Sequence, residues 1–201
     1  MRLDLTAKSF GPRPILGPVS LTVGAGQRVA LLGPSGVGKT TLLRIIAGLD
    51  RDFAGTRAVP ERLAMVFQEP TLLPWRTALG NLTLPTGATR AEAAALMAQV
   101  GLAGREAAYP RQLSLGQQRR LSLARAFAAR PGILLMDEPF ASLDEATRDR
   151  MLDLTAQLLN SSGAGLILVT HDPAEAARLG ARPLTLSGSP ASSATRSSSA
   201  S

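Results

Sequence analysis

Cysteine is absent from the 201-residue sequence, and this absence excludes disulfide bonds and thiolate metal sites as supports of the fold. Aromatic residues make up only 3% of the chain, so a core has to be built mainly from Leu, Val, Ile and Ala. No apolar run approaches the roughly 20 residues that span a bilayer. The first residues alternate apolar and polar side chains instead of forming a signal peptide. We therefore expect any role at a membrane to depend on a partner protein.

The formal net charge of +7 at pH 7 permits two interpretations. Positive charge can attract nucleic acid or an anionic membrane surface. It can also reflect arginine that is spread over solvated helix faces. The sequence contains no run of five or more like charges, which favours the second interpretation, and we expect no nucleic-acid partner.

Short apolar runs alternate with helical patterns along most of the chain. Strands are predicted at residues 2–6, 19–23, 28–32, 63–67, 133–136 and 166–169. Helices are predicted at residues 40–47, 90–100, 115–129, 145–159 and 173–179. This alternation predicts an α/β fold with a mostly parallel, twisted sheet, in which ligands bind beyond the carboxyl ends of the strands. Residues 187–201 are rich in Ser and Ala, and we expect them to form a disordered tail because they bury little apolar area.

A phosphate-binding loop is predicted between the strand at 28–32 and the helix that follows. The pattern G-x-x-x-x-G-K-[ST] is matched by Gly33, Pro34, Ser35, Gly36, Val37, Gly38, Lys39 and Thr40. Glycines let successive backbone N–H groups surround a phosphate, and the helix adds the positive end of its dipole. Lys39 is expected to contact the β- and γ-phosphates, and the Thr40 hydroxyl to bind Mg²⁺. The loop alone also suits a small nucleoside monophosphate kinase.

Two adjacent carboxylates follow the apolar strand at 133–136. We expect Asp137 to hold Mg²⁺, and Glu138 to orient or deprotonate an attacking water molecule. His171 is the only histidine and follows the apolar strand at 166–169. A lone histidine is most often structural or surface-exposed, but this position at the ligand edge favours contact with the γ-phosphate. Asp172 and Glu175 are expected to cap the helix after it.

Residues 113–117, Leu-Ser-Leu-Gly-Gln, resemble the signature motif Leu-Ser-Gly-Gly-Gln of ABC ATPases. Further segments similar to that family are residues 118–126, 137–144 and 169–172. The resemblance covers about residues 2–186 in one order, and it disfavours the kinase. It implies a P-loop NTPase of ABC type that binds and hydrolyses ATP. The implied organisation is a single domain at 1–186, with a catalytic core and antiparallel β part at 1–68 and 115–186 and a helical subdomain at 69–114.

The resemblance also implies that two copies pair head to tail. Ser114, Gly116 and Gln117 would then contact ATP held by the second copy, while Asp144 belongs to the loop that crosses the interface. Leu115 departs from the family, which has Gly at this position. Its backbone N–H is retained, so we expect function to survive with altered closure or turnover.

Three further residues receive roles from the resemblance. Phe10 would stack on adenine, with a core anchor beside the Gly11 turn as its alternative. Thr41 joins the ATP-binding residues. Gln68 would link Mg²⁺ and water to the helical subdomain.

The segment 67–77 resembles importers of nitrate, taurine and aliphatic sulfonates. It implies a peripheral subunit on the cytoplasmic face of the membrane, paired with integral-membrane permease subunits and served by an extracytoplasmic substrate-binding protein. Trp75 is expected to anchor the permease, or alternatively to pack inside the helical subdomain.

An exporter of haem or lipid type remains an alternative, because such systems also use a short chain and a variant signature. DNA-repair and chromosome ATPases are disfavoured because no coiled-coil insert fits between Thr40 and Ser114. Translation-factor relatives are disfavoured because they carry two such domains in one chain.

Overall fold

The computed structural model describes residues 1–188 and 190–194, and every structural statement below concerns these residues. The strands are β1 (Arg2–Phe10), β2 (Arg13–Leu16), β3 (Val19–Thr22), β4 (Arg28–Leu32), β5 (Ala54–Ala58), β6 (Leu63–Val66), β7 (Ile133–Asp137), β8 (Gly165–Val169), β9 (Arg182–Gly188) and β10 (Ala191–Ala194). The helices are α1 (Lys39–Ala47), α2 (Ala78–Thr86), α3 (Arg90–Gln99), α4 (Leu115–Ala128), α5 (Glu145–Ser162) and α6 (Pro173–Arg178).

All described strands belong to one mixed sheet with the order β3-β1-β2-β10-β9-β4-β8-β7-β6, and β5 pairs with β1 off this path. The strands from β9 to β6 are parallel neighbours. By contrast, β1 pairs antiparallel with β2, β3 and β5. The α/β prediction with a mostly parallel core is therefore confirmed.

Two apolar cores lie on opposite faces of the parallel strands. Alternate side chains of a strand point to opposite faces. Ile133 and Leu135 of β7 accordingly join the core that contains the apolar face of α1 and the inner side of the antiparallel strands. Leu134 and Met136 join the core formed by α2 to α6. This alternation places α1 on one face and the remaining helices on the other.

Helices α2, α3 and α4 pack on one another beside the parallel sheet. Thr77 and Thr89 cap the N-termini of α2 and α3. Asn81 is fully buried and joins α2 to the preceding segment, because its side chain accepts from Leu73 N and donates to Leu73 O. Helices α2 and α3 lie in the segment 69–114 that is predicted as a helical subdomain, whereas α4 begins just after it. The boundaries of that subdomain remain a prediction.

The prediction of disorder from residue 187 is wrong over part of the tail. Ser187 and Gly188 belong to β9, and β10 pairs antiparallel with that strand. The backbone of Gly17 also donates to Ala191 O over 2.7 Å. In the sheet order β10 lies between β9 and β2. Backbone pairing with neighbouring strands needs little apolar area of its own, which is why a Ser- and Ala-rich composition does not prevent it. Residues 189 and 195–201 lie outside the described part.

Within the described residues, no helix combines the length and apolarity required to cross a bilayer.

Candidate functional site

The polar residues predicted to form the site follow four neighbouring parallel strands, β4, β8, β7 and β6. The carboxyl ends of parallel strands meet at one edge of the sheet, which is where open α/β sheets bind ligands. The loop at 33–38 follows β4, Asp137 ends β7 and Glu138 comes next, and His171 stands two residues after β8. Gln68 stands two residues after β6 and is exposed. Sheet order therefore brings these predicted residues to the same edge.

Two positions of the loop favour glycine, because each combines a positive φ with a close neighbour. Gly33 has φ 149°, and a Cβ there would lie 2.6 Å from Leu186 O. Gly38 has φ 105°, and a Cβ there would lie 2.7 Å from Leu16 Cδ2. Gly38 is also the N-cap of α1, where no side chain caps the helix. The N–H groups of the first turn remain available for an anion.

Lys39 is folded back into this loop. Its Nζ donates to Gly33 O over 2.8 Å and to Pro34 O over 3.0 Å. The residue is 5% exposed. The ammonium group is thus held inside the concave side of the loop, together with the helix N-terminus that follows.

Thr40 and Asp137 are joined by a hydrogen bond from the Thr40 hydroxyl to Asp137 Oδ1, over 3.1 Å. Burial raises the pKa of the Asp137 carboxyl, an effect that the hydrogen bond from Thr40 opposes and the negative charge of Glu138 reinforces. Mg²⁺ binds oxygen ligands, commonly one or two carboxylates together with substrate phosphates. A hydroxyl and a carboxylate at this separation beside a phosphate loop fit that ion.

Glu138 has φ 44°, in the left-handed region that non-glycine residues rarely adopt. Its backbone N–H donates to Val169 O over 3.0 Å, which ties the carboxyl end of β7 to that of β8. Its Oε2 lies 3.7 Å from His171 Nδ1. The carboxylate and the imidazole therefore face each other at the sheet edge, and their side chains are 31% and 67% exposed.

The helix after His171 is capped differently from the prediction. Asp172 is the N-cap, and its Oδ1 accepts from Ala174 N over 2.8 Å. Glu175 does not bond to the Asp172 backbone N–H, which donates instead to Thr170 Oγ1 over 3.0 Å. The Thr170 hydroxyl donates to Glu175 Oε2 over 2.5 Å. The expected capping role of Glu175 is therefore wrong, because the buried Thr170 hydroxyl accepts the hydrogen bond from Asp172 N in its place.

A cleft of about 390 Å³ joins the phosphate loop to the antiparallel strands. Its lining residues are Phe10, Arg13, Ile15, Ser35, Gly36, Gly38, Lys39, Thr40, Thr41 and Glu138. Phe10 is 55% exposed, and the ammonium group of Lys8 lies 4.6 Å from its ring centroid. The alternative in which Phe10 anchors the core is therefore wrong. Arg13 and Ile15 were not predicted as site residues, and both lie in β2.

The signature segment, residues 113–117, forms a capping box at the start of α4. Ser114 Oγ accepts from Gln117 N over 3.2 Å, and Gln117 Oε1 accepts from Ser114 N over 2.9 Å. Leu115 is 56% exposed, and a Cβ at Gly116 would meet nothing within 4 Å. These residues do not line the cleft of their own chain. The N-terminus of α4 is therefore exposed outside that cleft.

Asp144 stands at the start of α5, as Ser114 stands at the start of α4. It is the N-cap, and its Oδ1 accepts from Thr147 N over 2.9 Å. Like the signature segment, it does not line the cleft.

The sequence of the chain is similar to those of known proteins. Residues 16–141 match the family described as ABC transporter. An aliphatic sulfonates import ATP-binding protein, SsuB 2 of Rhizobium johnstonii, is 49% identical over 184 residues, which is 90% of this chain and 74% of that protein. SsuB 1 of Streptomyces avermitilis is 46% identical over 188 residues, 92% of this chain and 72% of that protein.

A similar solved structure is a dimeric, post-hydrolysis state of the ATP-binding cassette MJ0796 bound to ADP and Pi. Its TM-score is 0.76 at 30% identity, with 96% of both chains covered.

Proposed function

The chain belongs to the ABC transporter family and is an ATPase of that family, and we propose that it energises an importer of aliphatic sulfonates. The observation that carries this proposal is the meeting of Lys39, Thr40, Asp137, Glu138 and His171 at one sheet edge. The names of the similar proteins supply the substrate class. They favour import over the exporter alternative.

In the proposed ATP complex, the cleft that contains Phe10 receives the nucleotide, with the phosphates on the loop. Lys39 Nζ donates to the β- and γ-phosphates from its place inside the loop. Thr40 and Asp137 would hold Mg²⁺, with Gln68, two residues after β6, completing the set. That ion would supply neutralising charge to the phosphate oxygens. Phe10 stacks on the base, and its exposed ring is available for this contact.

Hydrolysis requires a base for the attacking water molecule. Glu138 Oε2 accepts the proton of that water, and His171, 3.7 Å away, donates to a γ-phosphate oxygen. The left-handed backbone of Glu138 is compatible with a functional role, because strained conformations persist where the surrounding structure holds a side chain in a required place.

The second half of the site comes from another copy of the chain. Ser114, Gly116 and Gln117 stand at an open helix N-terminus outside their own cleft, and such a terminus favours an anion. In a head-to-tail dimer this terminus faces the γ-phosphate on the partner subunit, and Asp144 lies at the interface. The leucine at position 115 changes how closely the two copies approach.

A permease is the proposed membrane partner, on the cytoplasmic face, with an extracytoplasmic substrate-binding protein in the complete system. Trp75 is 67% exposed, so the alternative in which it packs inside the helical subdomain is wrong. A large aromatic ring beside Pro74 and Arg76 suits an anchor in a protein interface. We place the permease contact at this residue.

The catalytic proposal is tested by Glu138→Gln, with Glu61→Gln at an exposed glutamate as the matched control. We expect Glu138→Gln to lower turnover by about 10²–10⁴-fold, the range contributed by a general base. Nucleotide affinity should be unchanged, and the ATP-bound dimer should accumulate in size-exclusion chromatography. Near-normal turnover of Glu138→Gln would disprove the role of this residue.

The transport proposal is tested by purification of the chain from its native host. Co-purification with an integral-membrane permease, and loss of aliphatic sulfonate uptake when the chain is deleted, are the expected results. Recovery of DNA or ribosomes in place of a permease would overturn the proposal.

A further inference from the structure

One buried polar pair has no part in the mechanism described above. Thr170 is 1% exposed and Glu175 is 6% exposed. The Thr170 hydroxyl donates to Glu175 Oε2 over 2.5 Å. Thr170 stands between the end of β8 and His171, and Glu175 lies in α6.

Burial of Glu175 is unfavourable unless something compensates for it. Among the ion pairs of residues 1–188 and 190–194, none includes this carboxylate. Burial raises the pKa of Glu175, an effect that the hydrogen bond from Thr170 opposes. A buried, unpaired carboxylate is costly to a fold, so this residue is poorly explained as a contribution to stability.

The same hydroxyl also holds the residue on the other side of His171. Thr170 Oγ1 accepts from Asp172 N over 3.0 Å while it donates to Glu175. The backbone on both sides of His171 is thereby tied to one buried carboxylate. The imidazole itself projects beyond this support, 67% exposed, to its place 3.7 Å from Glu138 Oε2.

We propose that Thr170 and Glu175 are positioning residues that hold the His171 imidazole beside Glu138. This proposal rests on the proposed function, since it assigns the pair a role in ATP hydrolysis. The hydroxyl is the essential link because it is donor to Glu175 and acceptor from Asp172. Without it, His171 stays in the sequence but loses the fixed backbone that aims its side chain.

Charged groups of α5 and α6 surround Glu175, so the pair has to be tested without a change of net charge. The titratable residues that share its 520 Å³ surface crevice are Glu145, Arg148, Asp149, Asp172 and Arg178. Thr170→Val removes the hydroxyl at constant charge and nearly constant shape, and Thr170→Ser retains it. Thr155→Val is the matched control, because Thr155 is fully buried in α5 and its hydroxyl donates to Met151 O over 2.7 Å.

Steady-state ATP hydrolysis by the full chain gives the first readout. Displacement of an aligned group by about 1 Å can cost about 100-fold in rate, and we expect Thr170→Val to lower kcat by at least about 10-fold. The KM for ATP should change by less than about 3-fold, since the phosphate loop is untouched. Thr170→Ser and Thr155→Val should keep kcat within about 3-fold of the unmodified chain.

The His171→Ala background separates positioning from a general structural effect. If Thr170 acts through His171, then Thr170→Val should lower kcat by less than about 2-fold once His171 is already replaced, because residues that act as a unit are non-additive. Equal losses in both backgrounds would overturn the proposal. So would a normal kcat for Thr170→Val in the otherwise unmodified chain.

A spectroscopic readout is available because His171 is the only histidine in the sequence. In ¹H–¹³C spectra of an untagged chain, its ring signals should shift or broaden in Thr170→Val and stay unchanged in Thr155→Val. Unchanged signals in Thr170→Val would contradict the proposal. An unmodified chain without ATPase activity, or a fully active His171→Ala chain, would instead count against the proposed function.

Discussion

Among single residues, Glu175 provides a prediction about pH because burial raises its pKa above the ordinary value. Below the pKa that this carboxyl has in the unfolded chain, it is neutral in the folded and the unfolded state, and its ionisation does not affect stability. As the pH rises through the raised pKa, the folded protein has to keep a buried charge, and stability is lost. Glu175→Gln removes that loss and still offers Thr170 an amide oxygen as acceptor.

We therefore expect the melting temperature of Glu175→Gln, relative to the unmodified chain, to rise as the pH increases from about 4 upward. Thermal unfolding of both proteins across this range measures the difference between their melting temperatures. The contributions of the other carboxylates are the same in both proteins and cancel in this difference. A difference that falls with pH for Glu175→Gln would contradict the raised pKa.

Local sequence patterns predict single residues well where the chemistry is confined to a short segment. The loop from Gly33 to Thr40 is such a case, because its spacing alone dictates a phosphate cradle. Glu175 is the opposite case. At three residues after Asp172 it fits a capping box in the sequence, but its carboxylate accepts from the Thr170 hydroxyl and not from Asp172 N. Thr170 Oγ1 and the Glu175 carboxylate compete to accept from Asp172 N. The outcome depends on burial, which the spacing of residues does not encode.

At the scale of secondary-structure elements, the start of α4 combines a helix cap with the proposed trans contact to ATP. Ser114→Ala should remove both, at a cost of about 1 kcal/mol in unfolding free energy. Ser114→Asp should retain the cap, since aspartate is an equally good N-cap. It also places a negative charge against the γ-phosphate, so ATPase activity should be lost while chemical denaturation shows near-normal stability.

Thr89→Ala is the matched control, because Thr89 forms the same capping box on α3. It should lower stability by about 1 kcal/mol and leave turnover intact. Full ATPase activity in Ser114→Asp would show that the signature helix does not contact phosphate.

The elements that the sequence predicts are those with strong local signals. Buried β4, β7 and β8 are continuous apolar runs, and α3 and α4 begin with capping boxes. The sequence does not predict α2 (Ala78–Thr86), because Pro85 within it normally opposes a helix.

Strand β5 is not predicted, for a different reason. Strand β5 has little apolar alternation and is mostly exposed. It exists through its pairing with β1, some fifty residues earlier in the chain. Such pairing is set by the tertiary fold, and the local sequence contains only a weak signal for it.

On the scale of the whole molecule, the proposed sites are shared between two chains, and this arrangement can be tested by mixing inactive variants. Glu138→Gln disables the half of a site that holds ATP, and Ser114→Asp disables the half that covers it. In a heterodimer of these two variants, one site carries both defects and the other carries neither. Mixing in equal amounts before ATP is added should make about one half of the dimers heterodimers, and about one quarter of all sites intact.

We therefore expect the mixture to recover up to about one quarter of the unmodified ATPase activity, although each variant alone is inactive. Glu138→Gln mixed with Lys39→Ala is the control, because both changes lie in the ATP-holding half and every site in that heterodimer is defective. If the first mixture shows only the added activities of its two components, the chains do not share sites. Recovery in both mixtures would show contamination with active protein. Recovery confined to the first mixture requires that the Ser114 of one chain acts on the ATP held by the other.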